Sequence, residues 1–357
     1  LREALERLWY GPRPAGLARG LAAALSPFSW AYAAGLRLRS GGAEQRVAAP
    51  VVSVGNLSVG GNGKTPLAME LARMLLAEGL RPALVSRGYG RQSRGVRVAW
   101  SPGGLAPDWE QVGDEPALMA RRCPRAMVVV GEDRVAAARL ALEAAGADAI
   151  VCDDAFQHRA LVRDLDLVAV HAVHGLGNGR LLPRGPLREP PCALARAHGV
   201  VFTHAPEDAE APALLRALGL PAELPAVCLA LEPAGLAVGT ELLPGAVLPP
   251  GPILAASAIA HPEGFRRHLE TLGCAVVGHV RLPDHHPLGG STRERLERRA
   301  RALGAAAIVV TEKDRVKLGP DGELPMLALR LEARWLGCGE AVVQGWLRAA
   351  LRNSPTG

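Results

Sequence analysis

The stretch that most constrains this chain lies at 47–79. There the apolar run VAAPVVSVG (47–55) leads through a glycine-rich loop into KTPLAMELARMLLAEG (64–79). The first segment reads as a buried strand, and the last places apolar residues at helical spacing until Gly79 ends it. Between them Gly60, Gly61 and Gly63 permit a backbone path on which successive N–H groups converge, at the start of a helix whose dipole favours negative charge. Such a strand, loop and helix make a phosphate-binding device. Against the pattern G-x-x-x-x-G-K-[ST], the chain reads Ser58, Val59, Gly60, Gly61, Asn62, Gly63, Lys64 and Thr65, with serine in place of the first glycine. All eight are candidate nucleotide-binding residues. Lys64 is expected to reach the β and γ phosphates and Thr65 to ligate Mg²⁺. A glycine turn with an incidental lysine is the competing reading, and the scarcity of lysine in this arginine-rich chain weighs against it. Val59 excludes a second signature lysine before the double glycine, and Thr311-Glu312-Lys313-Asp314 has the wrong spacing for a guanine reader, so ATP is the expected nucleotide.

The rest of the chain repeats the strand and helix alternation. Strand-like runs occur at 81–88, 126–130, 148–152, 166–170 and 199–203, with a helix at 132–145. A second series follows at 253–259, 275–282 and 306–311, with helices near 262–272 and 292–303. This is the signature of an α/β fold with a parallel sheet, here a phosphate-loop core followed by a smaller carboxy-terminal α/β lobe. The expected division is an amino-terminal helical segment at 1–45, the core at 46–235 and the lobe at 236–357. The Pro-, Ala- and Leu-rich region at 205–250 reads as an irregular bridge.

A net charge of +6 suits an anionic partner, but aromatic residues make up only 4% and do not interleave with basic ones, which argues against nucleic acid. Six scattered cysteines without C-x-x-C spacing indicate neither zinc nor a disulfide framework. Residues Gly20 to Leu36 carry no charge and are bracketed by Arg13, Arg19, Arg37 and Arg39, with Pro27, Trp30 and Tyr32 inside. This is the lower edge of bilayer-spanning length. Membrane attachment, interfacial or as a short span, competes with a helix pair packed into the fold and with a signal peptide.

Metal-dependent phosphoryl transfer needs carboxylates at a strand end, and DAIVCDDAFQH (148–158) supplies Asp153 and Asp154 after an apolar run. Two adjacent carboxylates are costly without a cation, and Mg²⁺ is the expected one. A paired-acid turn capping a helix is the alternative. His158 could serve either as a hydrogen-bonding turn residue or in function.

Seven stretches in order then resemble one family, the tetraacyldisaccharide 4′-kinases that phosphorylate the lipid A precursor of Gram-negative bacteria. They are VGNLSVGGNGKTP (54–66), SRGYGR (86–91), VGDEP (112–116), DDAFQH (153–158), GNGRLLPRGPLREP (177–190), PDHH (283–286) and TEKDRVKL (311–318). The resemblance implies transfer of the γ-phosphate of ATP, with Mg²⁺, to the 4′-hydroxyl of an acylated glucosamine disaccharide 1-phosphate. It further implies a lipid substrate and a membrane surface as partners, with no obligate protein partner. Its place would be the cytoplasmic face of the inner membrane, peripheral or held by one amino-terminal anchor.

By the same resemblance Asp114 is the base toward the sugar hydroxyl and His285 its partner, with His286 beside it able to take that place. Lys64 completes the catalytic set, and Glu189 joins Thr65, Asp153 and Asp154 near the metal. Arg87, Arg91 and Arg188 are candidate neutralisers of phosphate charge, with a surface ion pair as the alternative for each in this arginine-rich chain. Two departures stand out: Ala155 where the family has glycine, and His171 where it has an acid. The alternatives are a cytosolic phosphate-loop kinase acting on a soluble molecule and a nucleotide switch without a phosphoryl acceptor.

Overall fold

The computed structural model describes residues 2–11, 16–38, 43–239, 241–243, 248–284, 286, 288–319 and 322–353. In chain order the first elements are α1 (Arg2–Tyr10), α2 (Leu17–Leu38), β1 (Val51–Gly55), α3 (Lys64–Ala77), β2 (Pro82–Ser86), β3 (Arg97–Trp100), α4 (Trp109–Val112) and α5 (Asp114–Arg122). Next come β4 (Met127–Val130), α6 (Arg134–Ala145), β5 (Ala149–Asp153), β6 (Leu165–His171), β7 (Gly199–Thr203), α7 (Ala211–Ala217), β8 (Ala226–Val238) and β9 (Glu241–Leu242). The chain closes with β10 (Ile253–Ser257), α8 (Pro262–Thr271), β11 (Val276–Arg281), α9 (Gly290–Ala302), β12 (Ala307–Thr311), α10 (Glu312–Arg315), β13 (Met326–Trp335) and α11 (Gly339–Asn353). The α/β class expected from the alternation is what forms.

Two compact units arise from interleaved segments. One gathers Leu1–Ala68, Asp148–Ala230 and Trp335–Gly357, the other Met69–Ala147 and Leu231–Arg334. The divisions expected at 45/46 and 235/236 are cuts in the linear chain, whereas these units are groupings in space.

In the first unit β1 lies between β5 and β6, parallel to both, and β7 and the start of β8 extend the same parallel order. All five residues of β1 are buried, which is why VVSVG shows no alternation of apolar and polar residues. Phe156, Val168, Val170, Phe202 and Leu57 form the core beneath the loops at the strand ends. Gly55 lies so close to the Phe156 backbone that a side chain there would collide with it.

The second unit holds β2, β4 and β3, with β4 parallel to β2 and antiparallel to β3. It also holds a parallel set in the order β11, β10, β12, β13. One apolar cluster around Phe265 and Leu269 of α8, and another around Leu296 and Ala300 of α9, pack on this set.

Two expectations need correction. The region 205–250 is not an irregular bridge, because it contains α7 and the 13-residue β8. Its Ala and Leu residues have weak strand propensity, but pairing of Val227 with Val201 and of Leu229 with Thr203 overrides that preference. Of the alternatives for the amino-terminal segment, the short span is the one that fails: among the described residues no helix is long and apolar enough to cross a membrane. Helix α2 includes Arg19 and Arg37 and spends one side on protein contacts. Ser29 Oγ donates to Leu181 O at 3.1 Å and Tyr32 Oη donates to Arg188 O at 3.0 Å.

Candidate active site

The loop after β1 is held in shape from several directions, all within the first unit. Val59 N donates to Pro186 O at 2.8 Å, Arg188 N donates to Leu57 O at 2.6 Å, and Tyr10 Oη donates to Val59 O at 3.3 Å. The Asn62 amide donates to Ser58 Oγ at 2.9 Å, so the serine that replaces the usual glycine acts as an internal brace. Thr203 Oγ1, at the end of β7, donates to Asn62 O at 2.9 Å. Gly60 (φ 113°) and Gly63 (φ 66°) take the left-handed backbone that the path requires. A Cβ on Gly63 would lie 3.1 Å from Thr203 Cβ and 3.2 Å from the His204 ring. The loop then delivers Lys64 and Thr65 as the first residues of α3.

Asp153, the buried last residue of β5, accepts a hydrogen bond from Thr65 Oγ1 at 3.0 Å. Asp154 follows with φ 54° and turns outward, 34% exposed, where Lys64 Nζ approaches within 3.6 Å. Arg188 Nη1 donates to both of its carboxylate oxygens, at 2.9 and 3.0 Å. Glu189 is engaged by Arg196 at 2.8 Å. The expected phosphate and metal residues are thus brought together at one edge of the first unit, with Glu189 in an ion pair of its own.

Among the described residues no group of three or more His, Cys, Asp and Glu side chains is placed to hold a metal ion. Mg²⁺ binds through one or two carboxylates together with waters and substrate phosphates, and the Thr65 hydroxyl and Asp153 carboxylate oxygen, 3.0 Å apart at the start of α3, are donors of that chemical type.

Within the second unit Asp114 is the first residue of α5 and is 5% exposed. Its place depends on two glycines in separate motifs. Gly88 (φ 67°) and Gly113 (φ 98°) pack backbone to backbone, since a Cβ on Gly88 would meet Val112 O at 2.6 Å and one on Gly113 would meet Tyr89 O at 3.0 Å. SRGYGR and VGDEP therefore form one contact. Asp114 Oδ1 accepts from Glu115 N at 2.9 Å, and the helix start favours its charge. Lys317 Nζ lies 3.5 Å and Lys313 Nζ 3.8 Å from Asp114 Oδ2. Lys313 also approaches Glu115 at 3.5 Å and Asp284 at 3.8 Å. Burial alone would lower the Lys313 pKa, yet the Glu115, Asp114, Asp284 and Asp314 carboxylates raise it above the ordinary lysine value.

His285, the expected partner of Asp114, lies outside the described residues. Arg91 is engaged by Glu132 at 2.7 Å and by Gly95 O, and Arg87 is exposed. The two departures have local explanations. The positive φ of the acidic turn falls on Asp154, so Ala155 sits there without strain, buried, its N–H donating to Val54 O. At the end of β6 His171 Nδ1 accepts from Val173 N (3.2 Å) and His174 N (3.4 Å), as a carboxylate oxygen would, and the ring stacks on His204 with centroids 4.3 Å apart. Lys313 and Lys317 join the site through tertiary folding, and the scarcity of lysine in this chain is the signal in the sequence that marks them.

Residues 21–352 match the family described as tetraacyldisaccharide-1-P 4′-kinase. The chain is 42% identical over 377 aligned residues to the tetraacyldisaccharide 4′-kinase of Anaeromyxobacter sp. (strain K), covering 98% of this chain and 96% of that protein. It is 38% identical to the enzyme of the same name from Syntrophus aciditrophicus, over 94% of this chain and 95% of that one. Among solved structures it is similar to LpxK from Aquifex aeolicus in complex with ATP, with a TM-score of 0.76, 31% identity, and coverage of 93% of this chain and 99% of that chain.

Proposed function

The chain belongs to the tetraacyldisaccharide-1-P 4′-kinase family, and from that premise we propose how its own residues move a phosphoryl group from ATP to a sugar alcohol. The protein is an ATP-dependent kinase of lipid A biosynthesis, and its acceptor is the 4′-hydroxyl of an acylated glucosamine disaccharide 1-phosphate. The observation that carries the assignment of parts is the placement of Lys64 and Thr65 at the helix start, beside the Asp153 and Asp154 strand end.

The amides of residues 58–65 cradle the phosphates, and Lys64 neutralises charge that builds on the transferred group. Lys64 lies 3.6 Å from Asp154, a loose contact that it exchanges for phosphate oxygens. Mg²⁺ would offset charge on the β and γ phosphates. Thr65 and Asp153 are the residues that would hold it, with Asp154 as second carboxylate and Glu189 free to join on leaving Arg196. Arg188 balances the charge of Asp154 throughout. Asp114 accepts the proton of the 4′-hydroxyl, because an alcohol attacking phosphorus must lose it, and His285 is the partner that the family resemblance assigns.

The amino-terminal helices give the enzyme its seat on the inner leaflet at the cytoplasmic face. Helix α2 exposes Phe28 and Trp30 between Arg19 and Arg37, and Leu38 just beyond Arg37, a pattern that favours the interface plane over a span.

The test is purified protein with γ-labelled ATP, Mg²⁺ and the acylated disaccharide 1-phosphate in detergent. Label should appear in the lipid. Asp114→Asn should bind ATP as before and transfer about 10²-fold more slowly or worse. Undiminished transfer by that variant removes Asp114 from the chemistry.

A further inference from the structure

Only three lysines occur among the 41 Lys and Arg residues of this chain, namely Lys64, Lys313 and Lys317. One serves the phosphate loop, and the other two both face Asp114. We propose that Lys317, anchored by Asp314, is the positioning residue for Asp114, fixing where its carboxylate points and keeping it in the form that accepts a proton. This rests on the reading of Asp114 as the base.

Asp314 is fully buried and rigidly held. Its Oδ2 accepts from Ala258 N and from Thr311 Oγ1, both at 2.8 Å, which ties it to the carboxyl ends of β10 and β12. Its Oδ1 lies 3.1 Å from Lys317 Nζ, and the same ammonium lies 3.5 Å from Asp114 Oδ2. Val316, the neighbour of Lys317, packs with Val112 and Ala117 and so fixes the backbone between the two units of charge. The side chain of Lys317 is 1% exposed, so it has no solvent route to another arrangement. Strand ends thus hold Asp314, Asp314 holds Lys317, and Lys317 holds the base.

Lys313 cannot do the same work. It is 17% exposed and shared among Asp114, Glu115 and Asp284 at 3.5 to 3.8 Å, which leaves no single preferred geometry. A compact ammonium suits a pocket between two carboxylates, whereas a planar guanidinium spreads its charge over a wider fork.

Two ammonium groups among four carboxylates (Asp114, Glu115, Asp284 and Asp314) leave the cluster net negative, so it can still take up a proton. Arg121 of α5 is half-buried and faces Arg315, and the further charges near α5 among the described residues are engaged elsewhere or exposed. The strands β2 and β4 carry no titratable residue, Arg97 of β3 is exposed, and Glu110 of α4 accepts from Gln92. On α10, Glu312 is paired with Arg122 and Arg330, and Arg315 donates to Leu318 O and Gly319 O.

The experiment measures labelled transfer to the acylated disaccharide against pH for Lys317→Met, Lys317→Arg and the double variant Lys317→Met/Asp314→Asn, each checked for folding by thermal melting. Lys317→Met should lower kcat about 10- to 100-fold, as expected for a displaced base, and leave KM for ATP within twofold. Its acid limb should move to higher pH, because an ammonium that favoured the carboxylate is gone. Lys317→Arg should keep the limb in place while losing part of kcat. Should Lys317→Met not fold, the double variant removes both buried charges together and should show the same drop in kcat with a smaller displacement of the limb, because the repulsion of Asp314 is lost along with the attraction of Lys317. A folded variant without Lys317, with kcat within twofold of the parent and an unmoved limb, overturns the proposal. Lys317→Met is also made in the Asp114→Asn background. There it should cost nothing further, and an equal loss in both backgrounds sinks the positioning role while leaving the base in place. Full activity of Asp114→Asn alone sinks the base reading instead.

Discussion

At the end of β5, Asp154 meets Lys64 at 3.6 Å and Arg188 at 2.9 Å with a third of its side chain open to solvent. At the end of β12 the chain turns into Asp314, which is fully buried, with Lys317 at 3.1 Å as its ion-pair partner and two hydrogen-bond donors at 2.8 Å. Both are carboxylates beside parallel strand ends, and both hold a lysine. The first pair is long and partly open to solvent, a weak contact, so a polyanion can displace it. The second is shut away from solvent, where breaking one partner leaves a stranded charge at a cost of about 3–5 kcal/mol. Loose pairing suits a group that must change partners in every turnover, and tight pairing suits one that must not move.

The largest expected effect tests the loose cluster. Lys64→Ala should reduce phosphoryl transfer by about 10²–10³-fold, the loss typical of one preorganised donor to developing charge, without lowering the melting temperature. A marked loss of stability would mean that the Lys64 to Asp154 contact is structural, and the contrast with Lys317 would fail. Arg188→Met comes next. Removing a charge-assisted, two-oxygen hydrogen bond of about 1.5–3 kcal/mol leaves Lys64 as the remaining cation on Asp154 and draws it away from phosphate. The expected result is a rise of about tenfold in KM for MgATP with a smaller change in kcat. An effect on kcat alone would place Arg188 with the transferred group instead.

Much of the first unit could be read from residue order because its function is local. Strand β1, the loop and the start of α3 are contiguous, and glycine positions dictate the path. The acidic strand end was legible for the same reason. What residue order did not show was how distant motifs meet. Gly88 and Gly113 are 25 residues apart, and their backbone contact explains two motifs at once, yet nothing in either motif names the other. Lys317 lies about 200 residues from Asp114, so its partner is a product of tertiary folding. Strand β8 is not legible because Ala, Leu, Pro and Gly in its sequence speak against a strand, and it is pairing, with β7 at its start and β9 at its end, that makes it one. The effect of Ala155 was likewise undecidable until the left-handed residue of the turn proved to be Asp154.

The smallest effect concerns Lys313, which stands between the two extremes. Its pairs are longer than that of Lys317 with Asp314 and its side chain is partly exposed, so Lys313→Met should cost about 1–2 kcal/mol, more than an exposed pair and less than a sealed one. The sign with pH follows from the direction of its pKa. Burial opposes the ammonium, but four carboxylates outweigh it and raise the folded-state value above that of the unfolded chain, about 10.4. The charged lysine therefore contributes its full stabilisation below the unfolded value and loses it as pH climbs through the folded one. Melting temperatures of parent and Lys313→Met should differ by a constant amount from about pH 7 to pH 10 and converge at higher pH. Convergence below pH 9 would mean that burial wins over the carboxylates, and Lys313 would then share in the proton traffic around Asp114.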